Sequence, residues 1–527
     1  MPSWQPDSRD WIACGALALA WIATIALLGV SGEFPVSDDW AYAHSVRVLV
    51  EEGRFERLDW TWVPMRTNAA IGWLFVQGFG FSYETLRLSS VVFGGFGMLA
   101  AFALCRQLGA ATCWSALAAV LYAWNPVHLP LALSFMTDVA FGALVNASLF
   151  CFARGLPRLA WGWLLGGALL ATAAAFSRQP GMGIFLAALL VLLATRPSRL
   201  GWLTVAGAGI AIVAVGIAPE RVRGTLELNW YLRSVLGEPS RALGALARNV
   251  PTLLFLLGAF SLPVVLVRAL ALPRAVAIGA ALTGAGVFVA LALRLGLGVP
   301  PGIDWWFDFG IGTGSHAHPG AFPTLPRPVA WPIGAFAAAS GAIAGVSALG
   351  ALASSRRAPD RAALWLAACF SAIYLGALAI RHPFFDRYCI AVLAPLLALM
   401  TRGLPSGPRR CQLALIAGLP LVCFTIGATH DWREREAARA ALLRELLAEG
   451  VAAQRIDGGT GFNATHNYGP VRFPTRAGRP FMIDDEYRVS FMREIPGYEH
   501  VRERRYSSWM PPRADSAVHV HRRKPVP

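Results

Sequence analysis

Charged residues are scarce in this chain, and lysine is almost absent. Charged side chains make up 15% of the 527 residues, against roughly 25% in soluble domains, and Lys524 is the only lysine. This shortage argues against a soluble globular protein, since 56% of the residues are hydrophobic and the mean hydropathy is +0.50. Apolar runs of about 20 residues recur, each long enough to cross a ~30 Å hydrocarbon core. The sequence therefore predicts an α-helical polytopic membrane protein.

Signatures of several other protein classes are also missing. The eight cysteines form no C-x-x-C pair and lie mostly in or beside apolar segments, which argues against a disulfide framework. The sequence contains no P-loop, no dinucleotide-binding glycine pattern and no nucleophile–base–acid triad. The net charge of +15 comes from arginines dispersed over short loops, which argues against nucleic-acid binding. The first apolar segment lacks a small-residue cleavage site, so we expect a retained anchor rather than a signal peptide.

The apolar runs predict about thirteen transmembrane helices. With the N-terminus in the cytoplasm, every even-numbered connection is short and contains arginine, as the positive-inside rule requires. The longer loops 31–87, 219–250 and 294–330 then lie on the outer face. The predicted spans cover approximately residues 11–30, 88–106, 112–128, 136–153, 159–175, 181–195, 200–218, 251–270, 275–293, 331–352, 362–380, 387–402 and 411–428.

The composition becomes charged after the last predicted span. We therefore predict a transmembrane domain over residues 1–429 and a small α/β domain over residues 430–527, with a helix from Asp431 to Gly450. An odd number of spans predicts that this second domain lies outside. Its many arginines favour the cytoplasm instead, but long domains obey the charge rule poorly.

Two adjacent acids, Asp38 and Asp39, follow the first predicted span. Their helical pattern continues to Glu52 and stops at Gly53, which predicts a helix lying along the membrane interface. An aspartate at the start of a helix is an ordinary N-cap. It is also a candidate catalytic base, because the helix dipole favours its ionised form. One residue can do both, and the sequence leaves open which of the two acids is the base.

Further polar residues lie at the outer ends of the predicted spans. Each of them alone fits a helix cap or an ordinary interfacial side chain. Acids and arginines from distant segments nevertheless map to one membrane face, which indicates a shared site. His316 and His318 lie in the outer loop 294–330, where the sequence leaves two interpretations open: a metal site or a solvated loop. The residues at the span ends are Glu84, Arg87, Asp138, Arg178, Gln179, Arg387 and Tyr388.

These residues carry a family resemblance. The acid pair, with Tyr42 four residues after the first acid, resembles the outer-loop signature of the GT-C glycosyltransferases. The segments 84–90, 135–138, 177–179 and 386–388 resemble segments of family 39 in the same order. That branch includes protein O-mannosyltransferases and the aminoarabinose transferases of lipid A. The resemblance covers roughly residues 10–430, and family members commonly carry Glu where this chain has Asp39.

The resemblance implies an enzyme of the bacterial cytoplasmic membrane with an active site facing the periplasm. It implies transfer of a monosaccharide from a polyprenyl-phosphate donor to a hydroxyl of a lipid, glycan or protein, with inversion in a single displacement. Asp38 is implied as general base and Asp138 as a second acid of the site. Whether the site holds a divalent metal ion is left open, and Asp38 and Glu84 are the candidate ligands. The implied acceptor-side residues are Asp39, Tyr42 and Glu84, and the implied phosphate-binding residues are Arg178, Gln179, Arg387 and Tyr388.

Two other functions compete with this interpretation. A transporter or flippase of lipid-linked sugars predicts charged residues within facing spans and internal repeats. The acids of this chain lie at span ends instead, and the sequence shows no repeat. A non-catalytic assembly protein of the membrane would tolerate the loss of Asp38.

Overall fold

The computed structural model describes most of the chain. The predicted span 200–218, apart from Gly209, and the two histidines of loop 294–330 lie outside the described residues. The description covers residues 4–61, 63–195, 209, 239–295, 305–307, 310–311, 327–354, 361–381, 384–469, 481–510 and 516–525.

The described part of the chain is mainly helical. Short 3₁₀ turns lie at Leu156–Arg158, Gln179–Gly181, Asp386–Cys389 and Ala453–Arg455. The helices are α1 (Ser8–Leu28), α2 (Asp39–Glu52), α3 (Arg66–Phe79), α4 (Tyr83–Gln107), α5 (Thr112–Ala123), α6 (His128–Ala132), α7 (Thr137–Gly155), α8 (Trp161–Ser177), α9 (Met182–Thr195), α10 (Pro239–Ala269), α11 (Arg274–Leu295), α12 (Arg327–Ser354), α13 (Arg361–Ala379), α14 (Ile390–Thr401), α15 (Pro408–Ala448) and α16 (Thr460–Asn467).

Eight of the described helices are long and apolar enough to cross a membrane, namely α1, α4, α7, α10, α11, α12, α13 and α15. Helices α5, α8 and α9 are apolar but shorter. The helical membrane fold expected from the sequence is therefore confirmed. The count of thirteen spans stays a prediction.

Helix α5 is shorter than the predicted span 112–128 and ends at Ala123. Pro126 follows closely, and a proline disfavours the helical conformation of the residue before it. The Asn125 side chain then accepts hydrogen bonds from the backbone N–H groups of Val127, at 3.0 Å, and His128, at 2.8 Å. These bonds satisfy donors at the start of α6 and turn the chain there.

Helix α7 lies at the centre of the membrane bundle. Of its span residues, 89% are buried, against 17% for α11. It packs against α4, α8, α13 and α14. A polar group at the start of α7 is therefore enclosed by protein on all sides.

Helices α10 and α12 cross at close range through two glycines. A Cβ added at Gly258 would collide with the carbonyl oxygen of Ala337, and one at Gly341 would collide with that of Leu254. Small residues allow such backbone approach between membrane helices. Substitution of either glycine would therefore force the two helices apart.

Helix α15 runs without a break across residue 430, where the sequence predicted a boundary. The helix expected from Asp431 to Gly450 is present as far as Ala448, but its expected start is wrong, because one helix of 41 residues spans Pro408–Ala448. Near residue 430 the side chains of this helix change from apolar to charged, because its surroundings change there. The helical backbone continues through that point. The division into two domains stays a prediction.

A four-stranded sheet follows α15. Strands β1 (Trp306–Phe307) and β2 (Gly310–Ile311) form a small pair elsewhere. The larger sheet consists of β3 (Ile456–Asp457), β4 (Tyr487–Ser490), β5 (Tyr498–Arg505) and β6 (Ala517–Arg523), in the order β3-β4-β6-β5. Strands β3 and β4 are parallel, and the other pairs are antiparallel.

The end of α15 covers this sheet. Leu442 and Leu446 of the helix share a buried cluster with Val489 of β4 and with Val518 and Val520 of β6. Burying a side chain of this size contributes about 1.5–3 kcal/mol. The same helix that lies in the membrane bundle therefore also supplies the core of the sheet.

The residues after α15 also pack against the first outer loop. Trp40 of α2 and Trp60 share an aromatic cluster with Tyr468 and Phe481. The Arg433 guanidinium donates to the carbonyl oxygen of Ser31 at 2.7 Å. The C-terminal sheet and the acid-bearing loop 31–87 therefore lie on the same side of the bundle.

Candidate active site

Asp38 directly precedes α2, but its side chain does not cap that helix. Its Oδ1 instead accepts a hydrogen bond of 2.9 Å from the indole N–H of Trp60. The side chain retains 27% of its exposure. The carboxylate is thus held by one donor while remaining open on another side, as a general base requires.

Asp39 is fully buried and faces a different environment. Its Oδ1 accepts a hydrogen bond of 2.5 Å from the backbone N–H of Val36. Burial raises the pKa of Asp39 to about 7, and the nearby Arg87 guanidinium limits the rise. The two adjacent acids therefore differ: Asp39 is buried and hydrogen-bonded to the loop backbone, whereas the Asp38 side chain is partly exposed.

Asp138 and Arg178 form a buried ion pair at the centre of the bundle. The Arg178 Nη1 donates to Asp138 Oδ1 at 2.7 Å and to the Thr137 hydroxyl at 3.0 Å. Asp138 lies in the first turn of α7, and Arg178 ends α8. The following turn folds back so tightly that a Cβ at Gly181 would lie 2.5 Å from the backbone nitrogen of Ala175. Glycine at this position therefore helps to direct Arg178 inward.

Arg387 lies between the two aspartates. Its Nη2 is 3.9 Å from Asp38 Oδ2, and its Nε is 3.8 Å from Asp138 Oδ2. The turn that carries Arg387 is fixed by Asp386, whose Oδ2 accepts from the backbone N–H groups of Trp305, at 3.0 Å, and Trp306, at 2.7 Å. Arg387 therefore lies between Asp38 of the first outer loop and Asp138 at the start of α7.

Aromatic rings enclose these charges. The Arg178 guanidinium lies 5.0 Å from the centre of the Tyr388 ring, and that of Arg387 lies 4.7 Å from the Phe385 ring. The buried Tyr42 hydroxyl has a pKa raised by burial, and four charged groups act on it: Asp38, Arg387, Arg178 and Asp138. Two carboxylates, two guanidiniums and a phenol from separate segments therefore form one cluster.

Glu84 and Arg87 serve the loop that leads to Asp38. Glu84 Oε1 accepts a hydrogen bond of 2.7 Å from the backbone N–H of Gly32. The buried Arg87 guanidinium donates to the carbonyl oxygens of Gly32 and Phe34. The structure thus places Glu84 at the base of the loop, away from the ion-pair cluster. Its predicted part in the acceptor site stays a prediction.

Gln179 opens the 3₁₀ turn that follows Arg178, and its carbonyl oxygen accepts from the N–H of Met182. The end of α8, just before this turn, packs on α3, a helix that the sequence analysis missed. There the Ser177 hydroxyl donates to the Asn68 side chain at 2.6 Å. The predicted binding of phosphate by Gln179 and Tyr388 stays a prediction.

Trp60 is the site residue that sequence reasoning missed. Its indole N–H holds the candidate base, and its ring contacts Phe481 at a centroid distance of 4.9 Å. A tryptophan in a polar loop indicates a buried side chain, but the sequence spacing does not show which acceptor its indole N–H would bind. The predicted residues that do converge are Asp38, Tyr42, Asp138, Arg178, Arg387 and Tyr388.

The predicted metal ligands Asp38 and Glu84 have separate contacts. Asp38 meets Trp60 and Arg387, whereas Glu84 meets Gly32. Within the described ranges, one group of three or more metal-ligating side chains has its ligand atoms close together, and it lies in the C-terminal sheet. The cofactor therefore remains unknown, and a metal on Asp38 and Glu84 stays a prediction.

Comparison with known families finds a match to a family of glycosyltransferases. Residues 67–220 match the model of the dolichyl-phosphate-mannose-protein mannosyltransferase family. The match covers less than a third of the chain, and over those residues the chain is similar to this family of glycosyltransferases. The matched segment includes Asp138 and Arg178, whereas Asp38 and Arg387 lie on either side of it. The recognition made from the sequence is thereby confirmed.

Solved structures similar to this chain include a bacterial and an archaeal protein. ArnT from Cupriavidus metallidurans bound to undecaprenyl phosphate is 15% identical with a TM-score of 0.42, over 84% of this chain and 74% of that chain. The oligosaccharyltransferase AglB from Archaeoglobus fulgidus, in complex with an inhibitory peptide and a dolichol-phosphate, is 16% identical with a TM-score of 0.44, over 80% of this chain and 55% of that chain. A comparison with curated protein sequences gives no match.

Proposed function

We propose that this chain is a GT-C glycosyltransferase that moves a monosaccharide from a polyprenyl-phosphate donor to a hydroxyl group of a lipid, polysaccharide or protein. The observation that carries the proposal is the convergence of Asp38, Asp138, Arg178 and Arg387 in one cluster. The cluster combines a carboxylate open to an acceptor with two cations suited to a phosphate.

The two arginines are the proposed binding groups for the donor phosphate. When the bond between the sugar and the phosphate breaks, negative charge develops on the phosphate. A guanidinium stabilises this charge with two parallel hydrogen bonds to phosphate oxygens. Arg178 is already oriented by Asp138, at 2.7 Å. Arg387 lies 3.8–3.9 Å from both carboxylates, beyond the usual hydrogen-bond length of about 3.2 Å. Arg387 is the second proposed phosphate-binding group because it lies between the two acids of the cluster.

Asp38 is the proposed general base. It takes the proton of the acceptor hydroxyl while the acceptor oxygen bonds to the anomeric carbon. The bond from that carbon to the phosphate oxygen breaks, the electron pair leaves with the phosphate, and the anomeric configuration inverts. General base catalysis contributes roughly 10²–10⁴-fold to such a rate. Asp39 is less suited to this role, because its carboxyl is buried and already binds the Val36 N–H.

The proposed location is the periplasmic face of the bacterial cytoplasmic membrane. Asp38 follows the C-terminal end of α1, whereas Asp10 near its N-terminal end pairs with Arg106 at the far end of α4, at 2.8 Å. That pair marks the opposite, arginine-bearing face, which the positive-inside rule assigns to the cytoplasm. A donor with a long lipid chain would enter at the membrane rim beside Asp38.

The test uses the full-length protein in lipid vesicles with a panel of radiolabelled polyprenyl-phosphate monosaccharides. We expect transfer by the wild type, a loss of turnover of about a hundredfold or more in Asp38→Asn, and normal turnover in Glu51→Gln. Glu51 is a matched control because it is an exposed acid of α2. Normal turnover in Asp38→Asn would refute the assignment of the base. A wild type that carries a lipid-linked sugar across the vesicle membrane without transferring it would favour the transporter instead.

A further inference from the structure

A cluster of histidines and one glutamate lies on one face of the strand pair β5–β6. In the register of this pair His500 is opposite His521 and Glu503 is opposite His519. Residues three apart on a regular strand point to opposite faces. A bulge between His500 and Arg502 adds one residue to β5. The extra residue shifts the alternation of side chains by one, so the Glu503 side chain lies on the same face of the sheet as that of His500. His500 and Glu503 therefore both flank His519.

The distances in this cluster match those of a metal site. The His500 Nε2 lies 3.2 Å from the His519 Nδ1, and that nitrogen lies 3.4 Å from the Glu503 Oε2. Ligands about 2.0–2.1 Å from a tetrahedral zinc ion are separated from one another by about 3.3 Å. All three ligand atoms lie within 4.8 Å of one another. Two of the three separations thus fit a tetrahedron without movement of the strands.

The donor set indicates the class of cation. Two imidazole nitrogens and one carboxylate oxygen suit Zn²⁺ and similar transition metals, whereas Mg²⁺ and Ca²⁺ prefer oxygen ligands. His521 lies beside the cluster, with its ring centre 5.6 Å from that of His500, and its Nε2 lies 2.9 Å from the carbonyl oxygen of Met492. Three protein ligands leave a fourth position for water.

We propose that His500, Glu503 and His519 bind one divalent transition-metal cation of the zinc class. The ion ties β5, the edge strand of the sheet, to the buried strand β6. Without an ion the same atoms form a hydrogen bond between two imidazoles and an ion pair with Glu503, so metal binding itself must be measured. The site is made by residues outside the Asp38 cluster, and the proposal does not depend on the proposed sugar transfer.

The test measures zinc in the full-length protein, purified without a polyhistidine tag. The protein is incubated with zinc sulfate, desalted and assayed for zinc by mass spectrometry, and in parallel cobalt chloride is added to give the absorption spectrum of tetrahedral Co²⁺. We expect one ion per chain in the wild type and loss of that ion in His500→Ala and Glu503→Gln. These two variants change exposed side chains, so the fold of the sheet is retained.

The matched controls are His466→Ala and Glu499→Gln, which alter an exposed histidine and an exposed acid outside the cluster. Both are expected to keep the ion and the cobalt spectrum. A wild type without bound zinc, or variants of His500 and Glu503 with the zinc content of the wild type, would overturn the proposal. Sugar transfer measured on the same samples reports on the proposed function separately.

Discussion

Replacing Trp60 with phenylalanine tests whether the hydrogen bond to Asp38 matters for catalysis. The substitution removes the indole N–H that lies 2.9 Å from Asp38 Oδ1 but leaves a ring to pack against Phe481. A hydrogen bond to a charged group contributes about 1.5–3 kcal/mol, and about 1.4 kcal/mol corresponds to a tenfold change in rate. We therefore expect kcat to fall about ten- to a hundredfold if the bond orients the base in the transition state.

A comparison of kcat with KM distinguishes this positioning role from a general loss of packing. The Trp60 indole N–H contacts the proposed base and not the proposed phosphate-binding arginines, so its loss should lower kcat and leave the KM for the donor unchanged. The assay is transfer of radiolabelled sugar by the full-length protein in vesicles, measured over a range of donor concentrations.

Trp40→Phe is the matched control for this experiment. Trp40 belongs to the same aromatic cluster as Trp60, and its indole nitrogen has no hydrogen-bond partner among the described residues. The control loses a similar volume without losing a contact to Asp38. Equal kcat and KM values for the two variants would refute the positioning role.

Three further predictions concern stability. Asp138→Asn leaves the buried Arg178 without its carboxylate, which costs about 3–5 kcal/mol, so its thermal unfolding midpoint in detergent should fall; an unchanged midpoint would contradict the pairing. Burial raises the pKa of Asp39 from 3.8 to about 7, so its contribution to stability is complete below about pH 4 and is lost as the pH rises to 7. As the pH rises over this range, the thermal unfolding midpoint of Asp39→Asn should therefore fall less than that of the wild type. The same pH dependence of the midpoint in both proteins would argue against titration of Asp39. Asp10→Asn removes the partner of Arg106 on the opposite face and should lower the midpoint without changing kcat.

The sequence predicted the site better than it predicted the elements that support it. Asp38 and Arg387 are far apart in the chain, yet both were placed at one membrane face because each lies at the end of an apolar run. Span ends can be read from hydropathy, and a bundle brings such ends together. The roles implied by the resemblance remain to be tested.

The supporting elements depend on contacts that composition does not encode. Helix α3 was missed because its 14 residues mix polar and apolar side chains and are too few to suggest a span. The acceptor of the Trp60 indole and the bulge beside His500 are likewise set by tertiary contacts and strand register. Composition indicated that the surroundings of the chain change near residue 430, but it could not show that α15 continues through that change.

The continuity of α15 has a consequence for how the protein is made. A helix of 41 residues is about 60 Å long, and no flexible tether separates its membrane-embedded half from the half that carries the sheet. The C-terminal region therefore cannot be clipped off as an autonomous module without cutting through regular backbone. A product truncated within α15 would also lose Tyr468 and Phe481, so Trp40 and Trp60 beside Asp38 would be left without these ring contacts.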